Sequence, residues 1–90
     1  MTWDPDARFT PVDRVRARRV ADEMILLHLD QGSYYALSDV GAELWEGLEE
    51  GRTLGEILAR LLDRYEVDEE TLREDLERVV GELLERDLVV

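Results

Sequence analysis

The sequence predicts an α+β fold in which a three-stranded antiparallel sheet is followed by three helices. A change of pattern indicates this order: apolar residues alternate or form short runs before residue 38 and recur at helical spacing after it. The chain has 90 residues, of which 44% are hydrophobic, so it can bury one small core. A single folded domain is therefore expected rather than general disorder.

The N-terminal residues 1–13 contain both prolines of the chain, Pro5 and Pro11, among aspartates and threonines. Proline lacks the backbone N–H that strands and helix interiors use, so these residues are predicted to form an irregular arm. The domain is then expected to span residues 14–90.

Three strands are predicted between the arm and residue 37. Val15 and Ala17 alternate with arginines, which is typical of a half-buried strand. Residues 24–29 form an apolar run of strand length, and residues 33–37 follow a turn that contains Gly. These three segments predict an antiparallel meander.

Two helices follow the strands. Ser38 is expected to cap the first, whose apolar positions end near residue 51. Thr53 and Glu56 have the spacing of a capping box, in which each side chain accepts a hydrogen bond from a free backbone N–H at the start of the second helix.

The third helix is predicted from a cap at Asp68 to about Arg86. Gly81 lies inside it and is expected to allow close packing against another backbone, because glycine in a helix costs about 1 kcal/mol relative to alanine. Three i,i+4 ion pairs are expected along this helix: Glu69–Arg73, Glu74–Arg78 and Glu82–Arg86. The short, closely linked helices suit a winged helix-turn-helix in which the sheet forms the wing.

The charge balance bears on the partners that such a fold could have. The chain has 23 acidic and 11 basic residues, a formal net charge of -12, which disfavours binding to DNA phosphates or anionic membranes. The third helix, residues 68–86, has eight acids against three arginines, a net charge of about -5 on the helix that would read DNA. A dimeric winged-helix transcription factor is therefore the alternative function and not the preferred one.

Four of the arginines lie together on the first strand: Arg14, Arg16, Arg18 and Arg19. We interpret them as the exposed face of an outer strand, where charge discourages edge pairing. A contact with a partner is the alternative.

Residues suited to catalysis or metal binding are scarce. There is no cysteine, and His28 is the only histidine, set among leucines, so a structural role is expected for it. The acids follow helix caps and i,i+4 spacing, and no glycine-rich phosphate loop is found. We expect no enzyme activity, no cofactor and no metal. Without a signal peptide or a long apolar run, the expected location is the cytoplasm.

The third strand is the feature most indicative of binding. Residues 33–37 contain no charge and no proline, which are the usual protection of an edge strand. Such an edge can accept an extended peptide as an additional strand. Two occupants from this chain are alternatives: the C-terminal residues 88–90, as a short strand or apolar tail, or the N-terminal arm.

The order of elements resembles the PqqD family, whose domains are also called RiPP recognition elements. Four matches carry the resemblance: a strand, capping residue and glycine over residues 35–41, a Gly-x-Thr junction over residues 51–53, Ile57 with Leu61 on the second helix, and Asp75 with Val79 and Leu83 on the last helix. Many members have a glycine before the terminal apolar pair, where this chain has Asp87. The resemblance covers about residues 12–90.

The resemblance implies that the chain binds the leader segment of a ribosomally made precursor peptide by strand addition, most similarly to the free-standing leader-binding proteins of lasso-peptide pathways. A separate cysteine-protease-type leader peptidase is the implied second partner. The residues implied to bind the leader are the strand Ser33, Tyr34, Tyr35, Ala36 and Leu37 and the helix residues Leu72, Asp75 and Val79. Core packing is the alternative role for Leu72 and Val79, and the flank with Arg73, Glu77 and Val80 is the alternative cleft side.

Overall fold

The computed structural model describes residues 2–90 and confirms the predicted order of three strands and three helices. The elements are β1 (Val15–Val20), β2 (Glu23–His28), β3 (Ser33–Ser38), α1 (Val40–Glu49), α2 (Leu54–Arg64) and α3 (Glu69–Glu85). Within residues 2–90, no helix combines the length and the apolar character that crossing a membrane requires.

The strands form one antiparallel sheet in the order β1-β2-β3. Alternation of side chains gives the sheet two unlike faces. On the inner face, Met24, Leu26 and Leu37 are buried beneath the helices. On β1, Val15 is the only partly buried residue, so this strand is more exposed than its alternating pattern predicts.

Side-chain caps fix the starts of α2 and α3 as predicted. Thr53 Oγ1 accepts from the Glu56 N–H at 3.1 Å, and Glu56 Oε1 accepts from the Thr53 N–H at 2.8 Å, which completes the capping box. Asp68 Oδ2 accepts from the Thr71 N–H at 3.2 Å at the start of α3. Each cap satisfies a backbone donor that the helix itself leaves free.

The start of α1 differs from the prediction, because Ser38 is not its cap. Ser38 pairs with Glu23 as the last residue of β3, and the chain turns into α1 at Asp39, with φ of 49° and no side-chain hydrogen bond. Ser38, which was expected to cap the helix, thus belongs to the β-ladder instead. Gly41 follows this turn, and a Cβ there would lie 3.2 Å from Leu37 Cδ2, so the missing side chain lets α1 start close to β3.

Two helices end with a residue in the left-handed conformation. Gly51 after α1 has φ of 78°, and Asp87 after α3 has φ of 58°. At the end of α3 the N–H of Leu88 donates to the Leu83 carbonyl and the N–H of Asp87 donates to the Leu84 carbonyl, which is the Schellman pattern. Asp87 therefore takes the backbone conformation for which glycine is usual at this position.

The core lies between the inner face of the sheet and the three helices. Among its fully buried large side chains are Trp45 of α1, Leu61 of α2 and Leu76 of α3. Gly47 allows α1 to approach α2, because a Cβ there would lie 2.6 Å from Ile57 Cγ1. Gly81 does not serve the close packing expected for it, since a Cβ there would meet no atom within 4 Å.

The arm and the C-terminus bind each other, and neither pairs with the edge of β3. The N–H of Thr10 donates to the Val90 carbonyl at 2.9 Å, the reverse bond has the same length, and Pro11 forms an isolated bridge with Val89. The arm also accepts hydrogen bonds from the first residues of α2 through the carbonyls of Pro5 and Ala7. These contacts attach the arm to the body of the domain.

Candidate peptide-binding site

The outer edge of β3 is free. β3 pairs with β2 along one side, and no other part of residues 2–90 pairs with its second side. The two alternative occupants from the chain itself, the arm and residues 88–90, are hydrogen-bonded to each other, and neither pairs with β3. Nothing in β3 protects this edge, since its six residues include no charge and no proline.

The hydrogen bonds between β1 and β2 determine which backbone N–H and C=O groups of β3 face β2 and which face the free edge. The Leu29 N–H donates to the Arg14 carbonyl at 2.8 Å, so these two residues form a hydrogen-bonded pair. Bonded and non-bonded pairs alternate in an antiparallel ladder, and Val15 opposite His28 is the next pair. The backbone of His28 therefore points away from β1 toward its partner on β3, Ser33.

This alternation continues along β3. From Ser33 onward every second residue turns its N–H and C=O toward β2, and the residues between them turn theirs toward the free edge. The residues with edge-facing backbone groups are Tyr34, Ala36 and Ser38. Ser33, Tyr35 and Leu37, which were expected to supply edge backbone as well, use theirs to pair with β2.

A groove of about 230 Å³ lies between β3 and α3. Its walls come from the end of the strand, the turn into α1 and one flank of α3. The lining residues are Tyr35, Ala36, Leu37, Ser38, Asp39, Val40, Gly41, Asp75, Arg78, Val79 and Glu82. Because the groove runs beside the free edge, a peptide added to β3 would direct its alternate side chains into it.

The flank of α3 that faces the groove carries Asp75 and Val79, two of the three helix residues expected there. Val79 is 7% exposed and forms an apolar wall. The third residue, Leu72, is 1% exposed in the core and lies outside the lining, which is the alternative role that the sequence allowed. The opposite flank, with Arg73, Glu77 and Val80, does not line the groove.

Arg78 and Glu82 line the groove and were not expected there. They follow Asp75 at i+3 and i+7, positions on the same face of a helix. This spacing would have predicted both residues once the groove-facing flank of α3 was known. Because both are charged, they were instead assigned to ion pairs on the helix surface.

Tyr35 connects β3 to α3 across one end of the groove. Its hydroxyl donates a hydrogen bond to the Glu82 carboxylate, and the Arg86 guanidinium lies 4.3 Å from the centre of its ring. Burial raises the pKa of the Tyr35 phenol, and the bond to Glu82 raises it further. The hydroxyl thus remains a donor at neutral pH, and the two elements are held together.

The ion pairs of α3 differ from the predicted set. The Glu82 carboxylate accepts a hydrogen bond from Tyr35 and lies 3.4 Å from the Arg78 guanidinium. The Asp75 carboxylate lies 3.9 Å from the same guanidinium. None of the three expected i,i+4 pairs forms within residues 2–90. Glu82 binds Tyr35 of β3 instead of Arg86, and Arg78 binds Asp75 and Glu82 instead of Glu74. The groove has three lining carboxylates, those of Asp39, Asp75 and Glu82, and one cation.

His28 has the structural role expected from the sequence. It is 6% exposed, and its Nδ1 accepts a hydrogen bond from the Gln31 N–H at 3.3 Å in the turn before β3. Within residues 2–90 no cluster of three or more histidine, aspartate or glutamate side chains could hold a metal ion.

Comparisons with known proteins agree with this geometry. Residues 23–89, which include β3 and α3, match the family model described as coenzyme PQQ synthesis protein D (PqqD). A solved structure of TbiB1 in complex with the TbiA(beta) leader peptide shares 35% identity with this chain, covers 89% of it and 93% of its own chain, and has a TM-score of 0.84.

A second solved structure shows the same fold. It is a lasso peptide synthetase B1 complexed with the leader peptide, with 24% identity, coverage of 93% of this chain and 99% of its own, and a TM-score of 0.85. No curated protein matches the chain at a significant level. The family match over most of the chain, together with the identity to TbiB1, shows that the chain belongs to the PqqD family.

Proposed function

We propose that the chain binds the leader segment of a ribosomally synthesised precursor peptide in a lasso-peptide pathway. The observation that carries this proposal is the free, uncharged edge of β3 beside the groove. The TbiB1 structure, similar over 89% of this chain, supports it because that protein is bound to a leader peptide.

Backbone pairing supplies the affinity in this proposal. The edge-facing groups of Tyr34, Ala36 and Ser38 bind the leader as a fourth strand, and each hydrogen bond contributes about 0.5–1.5 kcal/mol. This pairing does not depend on leader side chains, so the affinity has a component that is independent of leader sequence.

The groove supplies specificity. Val79 packs against an apolar leader side chain, and the Asp75 carboxylate accepts a hydrogen bond from the leader or pairs with a basic leader residue. The link between Tyr35 and Glu82 sets the distance between strand and helix, so it limits the size of the side chain that enters.

The role after binding is delivery and not catalysis. A leader held by this chain places the precursor near a separate cysteine-protease-type leader peptidase, which then meets its substrate at a high effective concentration. The proposed location is the cytoplasm, where ribosomes release the precursor.

The test first identifies a precursor peptide among the reading frames that neighbour the gene for this chain, and it uses the leader of that precursor, labelled with a fluorophore. Ala36→Pro removes an edge-facing N–H, and proline is tolerated on edge strands, so the fold is expected to persist. We expect at least a tenfold loss of leader affinity by fluorescence polarisation. Ala36→Ser is the matched control, because it keeps the N–H and a small side chain, and it is expected to bind as the wild type does.

Two results would count against the proposal. One is a wild-type chain that does not bind the leader. The other is an Ala36→Pro variant with a native circular dichroism spectrum and unchanged affinity, which would place the leader away from the edge of β3.

A further inference from the structure

The groove beside β3 is closed at one end and open at the other. At the end where β3 begins, the Tyr35 hydroxyl donates a hydrogen bond to the Glu82 carboxylate, and the Arg86 guanidinium lies 4.3 Å from the centre of the Tyr35 ring. We name these three side chains the Tyr35 bridge. Gln31, in the turn before β3, lies 3.5 Å from the Asp87 carboxylate at the same end. These contacts join the sheet to the C-terminal part of α3.

The other end of the groove, where β3 passes into α1, has no such contact. Within residues 2–90, no hydrogen bond or ion pair joins residues 36–41 to α3. Asp75 lines this end, and it precedes Glu82 by seven residues, which is about 10.5 Å along the helix axis. The strand and the helix are therefore not bonded to each other here, whereas the Tyr35 bridge joins them at the closed end.

Strand geometry brings two positions of an added leader strand into the groove. Side chains on the same face of adjacent strands lie beside each other, so inward side chains of the leader would lie beside Tyr35 and Leu37. In an antiparallel pair these are the non-hydrogen-bonded positions, where opposite Cα atoms are only about 4.5 Å apart. The two leader positions are two residues apart, and their surroundings differ.

The position beside Leu37 has room for a large side chain. Val40 and Val79 contribute apolar lining at this open end of the groove.

The position beside Tyr35 has much less room. The Tyr35 ring, the Glu82 carboxylate and the Arg86 guanidinium already occupy the space between strand and helix. A large leader side chain there would break the hydrogen bond between Tyr35 and Glu82, which lies in a part-buried site where lost hydrogen bonds are costly.

We propose that the Tyr35 bridge determines which leader sequences bind: it admits a large apolar side chain beside Leu37 and excludes one beside Tyr35. This inference rests on the proposed function and deepens it. The class of leader that is selected has a large apolar residue and, two positions away, a small residue such as glycine, alanine or serine. A shift of the leader by two residues would place the large side chain beside Tyr35, so the bridge also fixes the register.

The experiment measures the affinity of the labelled leader and of leader variants in which one residue at a time is replaced by phenylalanine. For the wild type, we expect one position at which phenylalanine weakens binding at least tenfold, which we name the excluded position. Two residues from it, phenylalanine should change the affinity by less than about threefold.

Tyr35→Ala removes the bridge and leaves space on the same face of β3. This variant should bind the leader with phenylalanine at the excluded position about as tightly as it binds the unmodified leader. Tyr34→Ala is the matched control, because it makes the same change at a 70% exposed side chain on the opposite face, and it should not restore binding. Glu82→Ala breaks the bridge from α3 and should restore binding at least threefold.

Two results would overturn the inference. One is a wild type that tolerates phenylalanine equally at every leader position. The other is an unchanged ratio of the two leader affinities in Tyr35→Ala and Glu82→Ala, each with a native circular dichroism spectrum, because an equal loss for all leaders would show that the bridge only maintains the fold. Failure of the proposed function is distinct from both, since the wild type would then not bind the unmodified leader.

Discussion

Asp75 illustrates how single residues of α3 differ in role although they share a charge. Asp75 lines the groove beside Arg78, whereas its neighbour Glu74 is exposed outside it. The Asp75 side chain is 48% exposed, so an ion pair with a leader residue would be partly hydrated. Such a pair contributes about 0.2–1 kcal/mol and is weakened by salt.

Asp75→Asn is therefore expected to weaken leader binding by about 1.4- to 5-fold at low salt, and less at high salt. Glu74→Gln removes the same charge one residue away and is expected to leave the affinity nearly unchanged. Fluorescence polarisation across a salt series measures both variants. An equal loss for Asp75→Asn at every salt concentration would show that Asp75 acts through packing or a neutral hydrogen bond instead.

Residue roles were predictable where they depend on neighbours in sequence. Thr53, Glu56 and Asp68 cap their helices as expected, because a cap needs only residues within one turn. Ser38 and Glu82 were misjudged because each has a partner on another element: Glu23 in the ladder, and Tyr35 across the groove. Such contacts have no local signal.

At the scale of elements, two helix glycines differ in the space around them: Gly47 lies in a close helix contact, and Gly81 lies at an open position. Gly47 of α1 faces Ile57, which is 1% exposed, so an added methyl group has no room. Gly81 of α3 has open space around its Cβ position. The sequence could not distinguish these two residues, because both interrupt an otherwise favourable helix.

Opposite effects are expected when each glycine is replaced by alanine. Gly81→Ala should raise the free energy of unfolding by about 0.8–1 kcal/mol through helix propensity. Gly47→Ala should lower it, because overpacking of about 1–3 kcal/mol exceeds that gain. Urea denaturation followed by circular dichroism measures both. A destabilised Gly81→Ala variant would contradict the packing described for α3.

The ends of the strands were predicted to within about one residue. Which residues of β3 turn their backbone groups toward the free edge was not predicted. Which amides face the free edge depends on the register of all three strands, and a one-residue shift reverses the assignment. From sequence, Ser33 to Leu37 were therefore equivalent as edge residues. The structure selects Tyr34, Ala36 and Ser38.

For the whole molecule, the charge distribution is compatible with peptide binding and disfavours DNA binding. The net charge of -12 is concentrated after residue 20, and α3 with its caps carries a net charge of about -5. A winged helix that reads DNA presents this helix to phosphates. In this chain the helix contributes a carboxylate-lined wall to a groove instead.

We accordingly expect no complex with duplex DNA in an electrophoretic mobility-shift assay, even at low salt, where phosphate contacts are strongest. The leader-loaded domain should behave in the same way, because the leader does not remove the charges of α3. A shift that weakens as salt is added would contradict this expectation and support the transcription-factor alternative.

Strand addition at the free edge of β3 is the central claim, and amide hydrogen exchange tests it directly. Nuclear magnetic resonance of the wild type with and without saturating leader follows each residue of β3. We expect the leader to slow exchange at Tyr34, Ala36 and Ser38, while Ser33, Tyr35 and Leu37, already paired with β2, change little. Unchanged exchange at all three edge residues, with leader bound, would contradict strand addition.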